Sequence, residues 1–237
     1  MKIEVFADAE SVARAAAAGI AADAREAIAS RGRFSFAVSG GHTPWIMLRA
    51  LTREDVPWSR VHLFQVDERI APAGDKDRNL THLRESFLQY VPLRADQIHA
   101  MPVEATDLPA AASVYAKDLE AIAGSPPVLD LVHLGLGPDG HTASLVPGDS
   151  VLDDTADDVA LTGIYQGRRR MTLTYPVLNR ARRILWVVTG GEKVEMLRRL
   201  RDGDATIPAG RIRRDQALLL ADRAAAGHLA AESRHGG

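Results

Sequence analysis

Leu129-Asp-Leu-Val-His-Leu-Gly-Leu-Gly-Pro-Asp-Gly-His-Thr-Ala-Ser144 decides how this chain is read. Its first part, Val128–Leu134, is an apolar run bounded by turn signals, the pattern of a strand buried on both faces. Strands of that kind belong to parallel sheets, and open α/β sheets build their sites where such strands end. What this strand delivers to the sheet edge is a carboxylate, Asp139, and an imidazole, His141, on a glycine-punctuated turn. Imidazole titrates near neutral pH, and a neighbouring carboxylate can orient the ring and stabilise its charged form. The pair reads as acid–base machinery. The plain alternative is a turn in which Asp139 only caps the next amides.

Working outward, short β-rich runs alternate with longer helical ones. Strands are expected at Ile3–Phe6, Phe34–Val38, Val61–Val66, Met171–Thr174, Ile184–Val188 and Ala217–Leu220. Helices are expected over an Ala-rich stretch capped by Asp8 or Ser11 and stopped at Arg31-Gly32, then from Pro44, and over Leu80–Tyr90, Ala110–Ala123 and Glu192–Arg201. Strands separated by helices predict a mostly parallel sheet covered on both faces. Ser125-Pro-Pro127 and the acidic stretch from Asp149 to Asp158 are loop-like but are no linkers, so residues 1–237 are expected to form one domain. The tail, Ser233–Gly237, is expected to fray.

The 237 residues are 46% hydrophobic but only 5% aromatic, so Leu, Val, Ile and Ala must fill the core. A net charge of -2 argues against a general nucleic-acid binder and leaves room for a local cationic pocket. The absence of cysteine excludes disulfides, thiolate catalysis and zinc–sulfur sites. No apolar leader follows Met1 and no run is long enough to span a bilayer, which predicts a cytoplasmic protein without membrane partners.

Each remaining loop carries competing readings. Gly135-Leu-Gly-Pro-Asp-Gly140 matches a dinucleotide fingerprint, but Pro147-Gly148 interrupts the helix that such a fingerprint needs. Ser39-Gly-Gly-His-Thr-Pro44 lies between a strand and a helix, where glycines free several N–H groups to face one anion. It lacks the Gly-Lys-Ser/Thr of a Walker loop. A nucleophile elbow at Ser39 would need several strands before it, and one strand–helix unit precedes it. A phosphate cradle is the preferred reading, with a plain tight turn beside it. Asp67-Glu68-Arg69 ends the third predicted strand, where Asp67 could hold a sugar hydroxyl or orient Arg69. The alternatives there are a solvated charge cluster, or a metal site with Asp75 and Asp77. Arg168-Arg-Arg170 and Lys193, each ordinary surface charge when read alone, gain weight from lying just outside predicted strands.

Taken together, these segments resemble the glucosamine-6-phosphate isomerase/6-phosphogluconolactonase family, and within it the lactonase branch. The matching residues are Ser39–Pro44, Asp67–Arg69, Gly135–Gly148, Arg170–Thr174 with Pro176-Val-Leu-Asn179, and Gly190-Gly-Glu-Lys193, in the family's order. Two positions depart from it: His42 stands where many relatives have serine, and Arg78 precedes Asn79 where serine is common. The resemblance implies a three-layer α/β/α sandwich with a mostly parallel central sheet and no metal or organic cofactor. It implies hydrolysis of 6-phospho-D-glucono-1,5-lactone in the oxidative pentose phosphate pathway by a monomer or small homo-oligomer. It implies His141 and Asp139 as catalytic residues, with Ser39, Gly40, Gly41, His42, Thr43, Asp67, Arg69, Asn79, Arg170 and Lys193 binding substrate. The deaminase branch typically continues the Asp-Gly-His turn with another carboxylate, whereas Ala143-Ser-Leu-Val-Pro147 has none. A non-catalytic sugar-phosphate module is the third reading, and it would want an output domain for which no segment of this chain is spare.

Overall fold

The computed structural model describes residues 1–227. Ten strands occur among them: β1 Lys2–Phe6, β2 Phe34–Val38, β3 Val61–Gln65, β4 Asp67–Arg69, β5 Ile98–His99, β6 Leu131–Leu134, β7 Val159–Leu161, β8 Arg170–Leu173, β9 Arg183–Val188 and β10 Ala217–Asp222. The α-helices are α1 Ala9–Arg31, α2 His42–Leu51, α3 Asn79–Ser86, α4 Leu108–Ala123, α5 Tyr175–Arg180, α6 Val194–Asp202 and α7 Arg223–Ala226. Seven strands form one sheet in the order β1-β10-β9-β6-β2-β3-β5. Every neighbouring pair in it is parallel.

Both faces of that sheet are covered, and the strand sequences show why. In β9, Ile184, Trp186 and Val188 join the core beneath α4, α5 and α6, while Leu185 and Val187 join the core beneath α1 and α2. In β2, Phe34, Phe36 and Val38 go to the α1 side and Ala37 to the other. Alternate side chains leave a strand on opposite faces, so a run apolar at every position must be sandwiched. Helix α1 starts where the Asp8 carboxylate accepts the Ser11 amide at 2.8 Å. It buries Val12, Ala13, Ala16, Ala17, Ile20, Ala21, Ala24 and Ala27, a helical stripe of mostly small residues that lets the helix lie close to the sheet.

The strand order reverses between β2 and β6. From β2 the chain moves outward through β3 and β5; from β6 it moves the other way through β9 and β10. A crevice opens at such a reversal because the two outgoing connections leave on opposite sides. The loops leaving β2 and β6 are Ser39–Gly41 and Gly135–His141, so topology brings the two most informative sequence motifs to one crevice.

Several expectations need correction. Asp67–Arg69 does not end the third strand: the chain breaks at Val66, whose N–H bonds Val38 O at 3.1 Å and whose carbonyl accepts the Leu173 N–H at 2.8 Å. Strand β4 then pairs antiparallel with β8, and β8 with β7, in a separate three-stranded sheet. The strand expected at Met171–Thr174 thus lies outside the parallel sheet. The predicted helix Leu80–Tyr90 closes as α3 at Ser86 and continues as a single 3-10 turn. Glu192 and Lys193 lie in a 3-10 turn before α6. Strands β5 and β7 and helices α5 and α7 have no counterpart among the expected elements. The tail expectation at Ser233–Gly237 falls outside the described residues.

Candidate active site

His141 sits on the turn after β6 with its Nδ1 2.5 Å from Asp139 Oδ1. Asp139 Oδ1 also accepts the His141 backbone N–H at 3.2 Å. Burial alone would push the Asp139 carboxyl upward, but the His141 charge and hydrogen bonds, with the Tyr165 hydroxyl, hold it below the usual carboxylate range. Asp139 is therefore an acceptor, so His141 Nδ1 donates and Nε2 carries the lone pair. The turn allows this only because residue 137 is glycine: a β-carbon there would stand 2.1 Å from His141 Nδ1 and 2.2 Å from Cε1. No helix follows Gly140; the chain instead folds back through a Thr142–Leu145 bridge, which removes the dinucleotide reading.

The cleft beside this ring, about 250 Å³, is lined by Ser39, Gly40, Gly41, Asp67, Arg69, Asn79, His141, Gln166, Arg170 and Lys193, with the backbone of the Gly135–Pro138 turn. A larger groove of about 430 Å³ lies at the opposite ends of the strands, where Arg31, Arg183, Asp23 and Asp130 pair with one another. Volume does not choose between them; convergent polar groups on one small cavity do.

Ser39 is not a nucleophile. Its hydroxyl donates to His133 O at 3.2 Å and its N–H to His133 Nδ1 at 3.3 Å, which seats the glycine bend on β6. His133 is fully buried, and burial pushes its imidazole down to about 3, keeping it a neutral acceptor. Gly40 passes so close to Asn79 that a β-carbon would lie 2.0 Å from Asn79 Oδ1. Helix α2 begins at His42, two residues earlier than Pro44 suggests, and its first amides have no helical acceptor. Two cradle residues do not line this cleft with their side chains. The His42 side chain lines a separate groove with Trp45, Ile46 and His82, and the Thr43 hydroxyl meets the Thr189 hydroxyl at 2.5 Å. A glycine bend fixes where backbone amides point but says nothing of the next side chains.

On the facing wall, Asp67 accepts the Ser144 hydroxyl at 2.6 Å and the Asn79 amide at 3.3 Å. It is Asn79, not Asp67, that orients Arg69: Asn79 Oδ1 accepts Arg69 Nη1 at 2.6 Å, and Asp77 O accepts it at 3.0 Å. Glu68 is fully buried and caps α3 by accepting the Asn79 and Leu80 amides, each at 2.8 Å. Arg78 supports it from 3.3 Å and reaches Glu104 at 2.7 Å, a structural use of the position that departs from the family pattern. Asp75 and Asp77 grip Arg168 at 3.0 and 3.1 Å. The acids that the sequence offers as cation ligands are thus spent in separate directions, and no metal-holding group of three or more occurs among the described residues.

Arg170 is 4% exposed, bonded to Gln166 Oε1 at 3.3 Å and Ser144 Oγ at 3.5 Å, and burial lowers its affinity for its proton. Lys193 borders the same cleft, and its carboxylate partner among the described residues is Glu192, at 4.0 Å. Two residues escape the sequence reading: Tyr165, whose hydroxyl donates to Asp139 Oδ2 at 3.0 Å, and Gln166. They lie in the Gly148–Gly167 stretch, which reads as a polar loop, and no spacing rule marks them. No helix among the described residues is long and apolar enough to cross a membrane.

Known proteins resemble this chain over most of its length. The family described as glucosamine-6-phosphate isomerases/6-phosphogluconolactonase matches residues 7–220. A 6-phosphogluconolactonase of Synechocystis is 39% identical over 176 residues, 73% of each chain. One of Mycobacterium tuberculosis is 35% identical over 96% of this chain and 98% of its own. The solved 6-phosphogluconolactonase of Trypanosoma brucei superposes with a TM-score of 0.83 at 26% identity, covering 96% of this chain and 98% of that one. The matched span takes in both loops at the sheet reversal and the β4–β8 wall facing them, and the chain belongs to the glucosamine-6-phosphate isomerase/6-phosphogluconolactonase family.

Proposed function

We propose that this protein hydrolyses 6-phospho-D-glucono-1,5-lactone to 6-phospho-D-gluconate, the lactone-opening step of the oxidative pentose phosphate pathway. One observation carries the reading: His141, held by Asp139 at 2.5 Å, shares a cleft of sugar-phosphate size with the Ser39–Gly41 bend, Arg170 and Lys193. Relatives named for this activity match most of the chain.

In this reading the phosphate rests on the glycine bend and the start of α2, with Arg170 and Lys193 as its cationic partners. Anchored there, the sugar presents its C1 carbonyl to a water beside His141 Nε2. The ring nitrogen takes a proton from that water as oxygen bonds to C1, and Asp139 stabilises the imidazolium. The carbonyl oxygen becomes an oxyanion, for which the Arg69 guanidinium in the same cleft is the cationic donor. Collapse breaks the bond from C1 to the ring oxygen. His141 returns its proton to that oxygen, and the new carboxylic acid loses one to solvent. A general base is worth about 10²–10⁴-fold, enough for an ester already activated as a lactone.

The deaminase branch is disfavoured by the Ala143–Pro147 stretch. Where that chemistry wants a further acid, in an Asn-Glu-Pro ending, this chain has Leu145-Val146-Pro147, with Val146 buried and no carboxylate in the stretch. The discriminating experiment supplies the phospholactone and follows acid release by pH indicator, and supplies glucosamine-6-phosphate and follows ammonia. Acid release well above the spontaneous rate supports the proposal. Ammonia release would assign the deaminase, and binding with neither product would assign a sugar-phosphate module.

A further inference from the structure

We propose that Tyr165 is a positioning residue for general-base catalysis: its hydroxyl pins the second oxygen of Asp139 so that the first is presented to His141. The inference rests on the lactonase reading for its kinetic consequence but not for its geometry. Asp139 Oδ1 takes both His141 groups, while the hydrogen bond to Oδ2, at 3.0 Å, comes from Tyr165. A carboxylate held at one oxygen turns about its Cβ–Cγ bond; held at both, it does not. The Tyr165 ring also stands edge-on to the imidazole, with centroids 5.4 Å apart, and beneath the Arg170 guanidinium at 4.9 Å.

The backbone that delivers Tyr165 is built for the purpose. Tyr165 and Arg168 exchange two backbone hydrogen bonds, of 3.0 and 3.2 Å, around Gln166 and Gly167. Both central residues have positive φ, +51° and +79°, the hairpin turn whose twist matches the flanking strands. Gln166 adopts that backbone at a cost, as a side chain in the left-handed region does, and such outliers gather at functional sites. Its side chain then spans the gap, bonding Arg170 at 3.3 Å and reaching the Tyr165 hydroxyl at 3.4 Å. Arg168 anchors the hairpin base on Asp75 and Asp77. Core packing does not explain Tyr165, since it lies half-buried on an outer hairpin beside Ile164, which is 77% exposed.

The charged groups facing the pair are Arg170 from β8, Lys193 from the turn after β9, and Asp67 and Arg69 from β4. Burial and the Asp139 charge raise the Tyr165 phenol above its ordinary value, so the hydroxyl stays a donor across the neutral range. Removing it leaves Asp139 with one fewer donor and therefore more basic. Asp139 then holds the His141 proton more tightly, and the base is free only at higher pH.

The test is Tyr165→Phe, which keeps the ring and deletes the oxygen. The Asp139 carboxyl is titrated by carbon-13 NMR, its signal assigned by loss in Asp139→Asn, and kcat and KM on the phospholactone are measured against pH. The expected result is an Asp139 midpoint moved upward and an acid limb of kcat/KM moved the same way. At neutral pH kcat should fall roughly three- to tenfold, part of what a hydrogen bond to a charged group is worth, with KM nearly unchanged. An unmoved Asp139 midpoint overturns the proposal whatever kcat does. A moved midpoint in a protein that does not open the lactone upholds the positioning and overturns the lactonase reading, so the two failures are distinct.

Discussion

The smallest feature with a functional consequence is the hydrogen at Gly137 where any other residue has a β-carbon. His141 lies across that space, 2.1 Å from where the β-carbon would be, well inside van der Waals contact. Neither side can yield cheaply, because the obstacle on one is backbone and on the other a ring already bonded to Asp139. Gly137→Ala is expected to swing the imidazole away from the attacking water while leaving the core intact. Misplacement by about 1 Å costs roughly 100-fold in rate. Steady-state kcat beside a thermal melt checks this: a large loss of kcat with little change in the melt is predicted, and a normal kcat contradicts it. Gly40 plays the matching part on the other wall, where Asn79 occupies its β-carbon space and passes the constraint to Arg69. Ser144 completes the set, its hydroxyl donating to Asp67 at 2.6 Å from the Thr142–Leu145 turn.

At the level of elements, division of labour separates grip from chemistry. In the proposed mechanism the β2–α2 bend and Lys193 hold the anion, while the turn after β6 carries the base. Lys193→Ala is expected to raise KM for the phosphorylated lactone about tenfold or more, the worth of one charge-assisted hydrogen bond, and to leave kcat nearly unchanged. Hydrolysis of unphosphorylated gluconolactone should not respond; an equal effect on both substrates would remove Lys193 from the phosphate site. What the sequence made legible follows the same division. The β6 strand and its Asp-Gly-His turn are contiguous, so one window contains both cause and outcome. The β4–β8–β7 sheet is not contiguous: β4 is three charged residues whose partner lies a hundred positions later, and nothing local records a pairing made at that distance. Tyr165 is illegible for a similar reason, since its role depends on a hairpin that returns it to a turn two dozen residues earlier. His42 shows the limit of a motif, which records where a backbone cradle lies but not where its side chains go.

For the molecule as a whole, the reversal of strand order between β2 and β6 is what makes a site, and His133 is where that architecture meets stability. This histidine is buried in the sheet under the glycine bend, with its imidazole lowered from an ordinary 6.5 to about 3 by burial. A depressed histidine binds its proton in the unfolded chain first. The neutral form's contribution is therefore complete above pH 6.5 and drains away as pH falls toward 3, at up to about 1.4 kcal/mol per pH unit. His133→Asn keeps an acceptor for the Ser39 amide but cannot take up a proton. Its denaturation midpoint should fall less between pH 7 and pH 4.5 than that of the parent, by urea unfolding at each pH; parallel declines would show that His133 does not set acid lability. The convergence of base and anion grip in one crevice stands or falls on a single comparison. With the phospholactone at saturation and the spontaneous rate subtracted, acid release by His141→Ala should be slower than by the parent by about 100-fold or more, with its melt preserved. Equal rates from the two proteins would contradict the account.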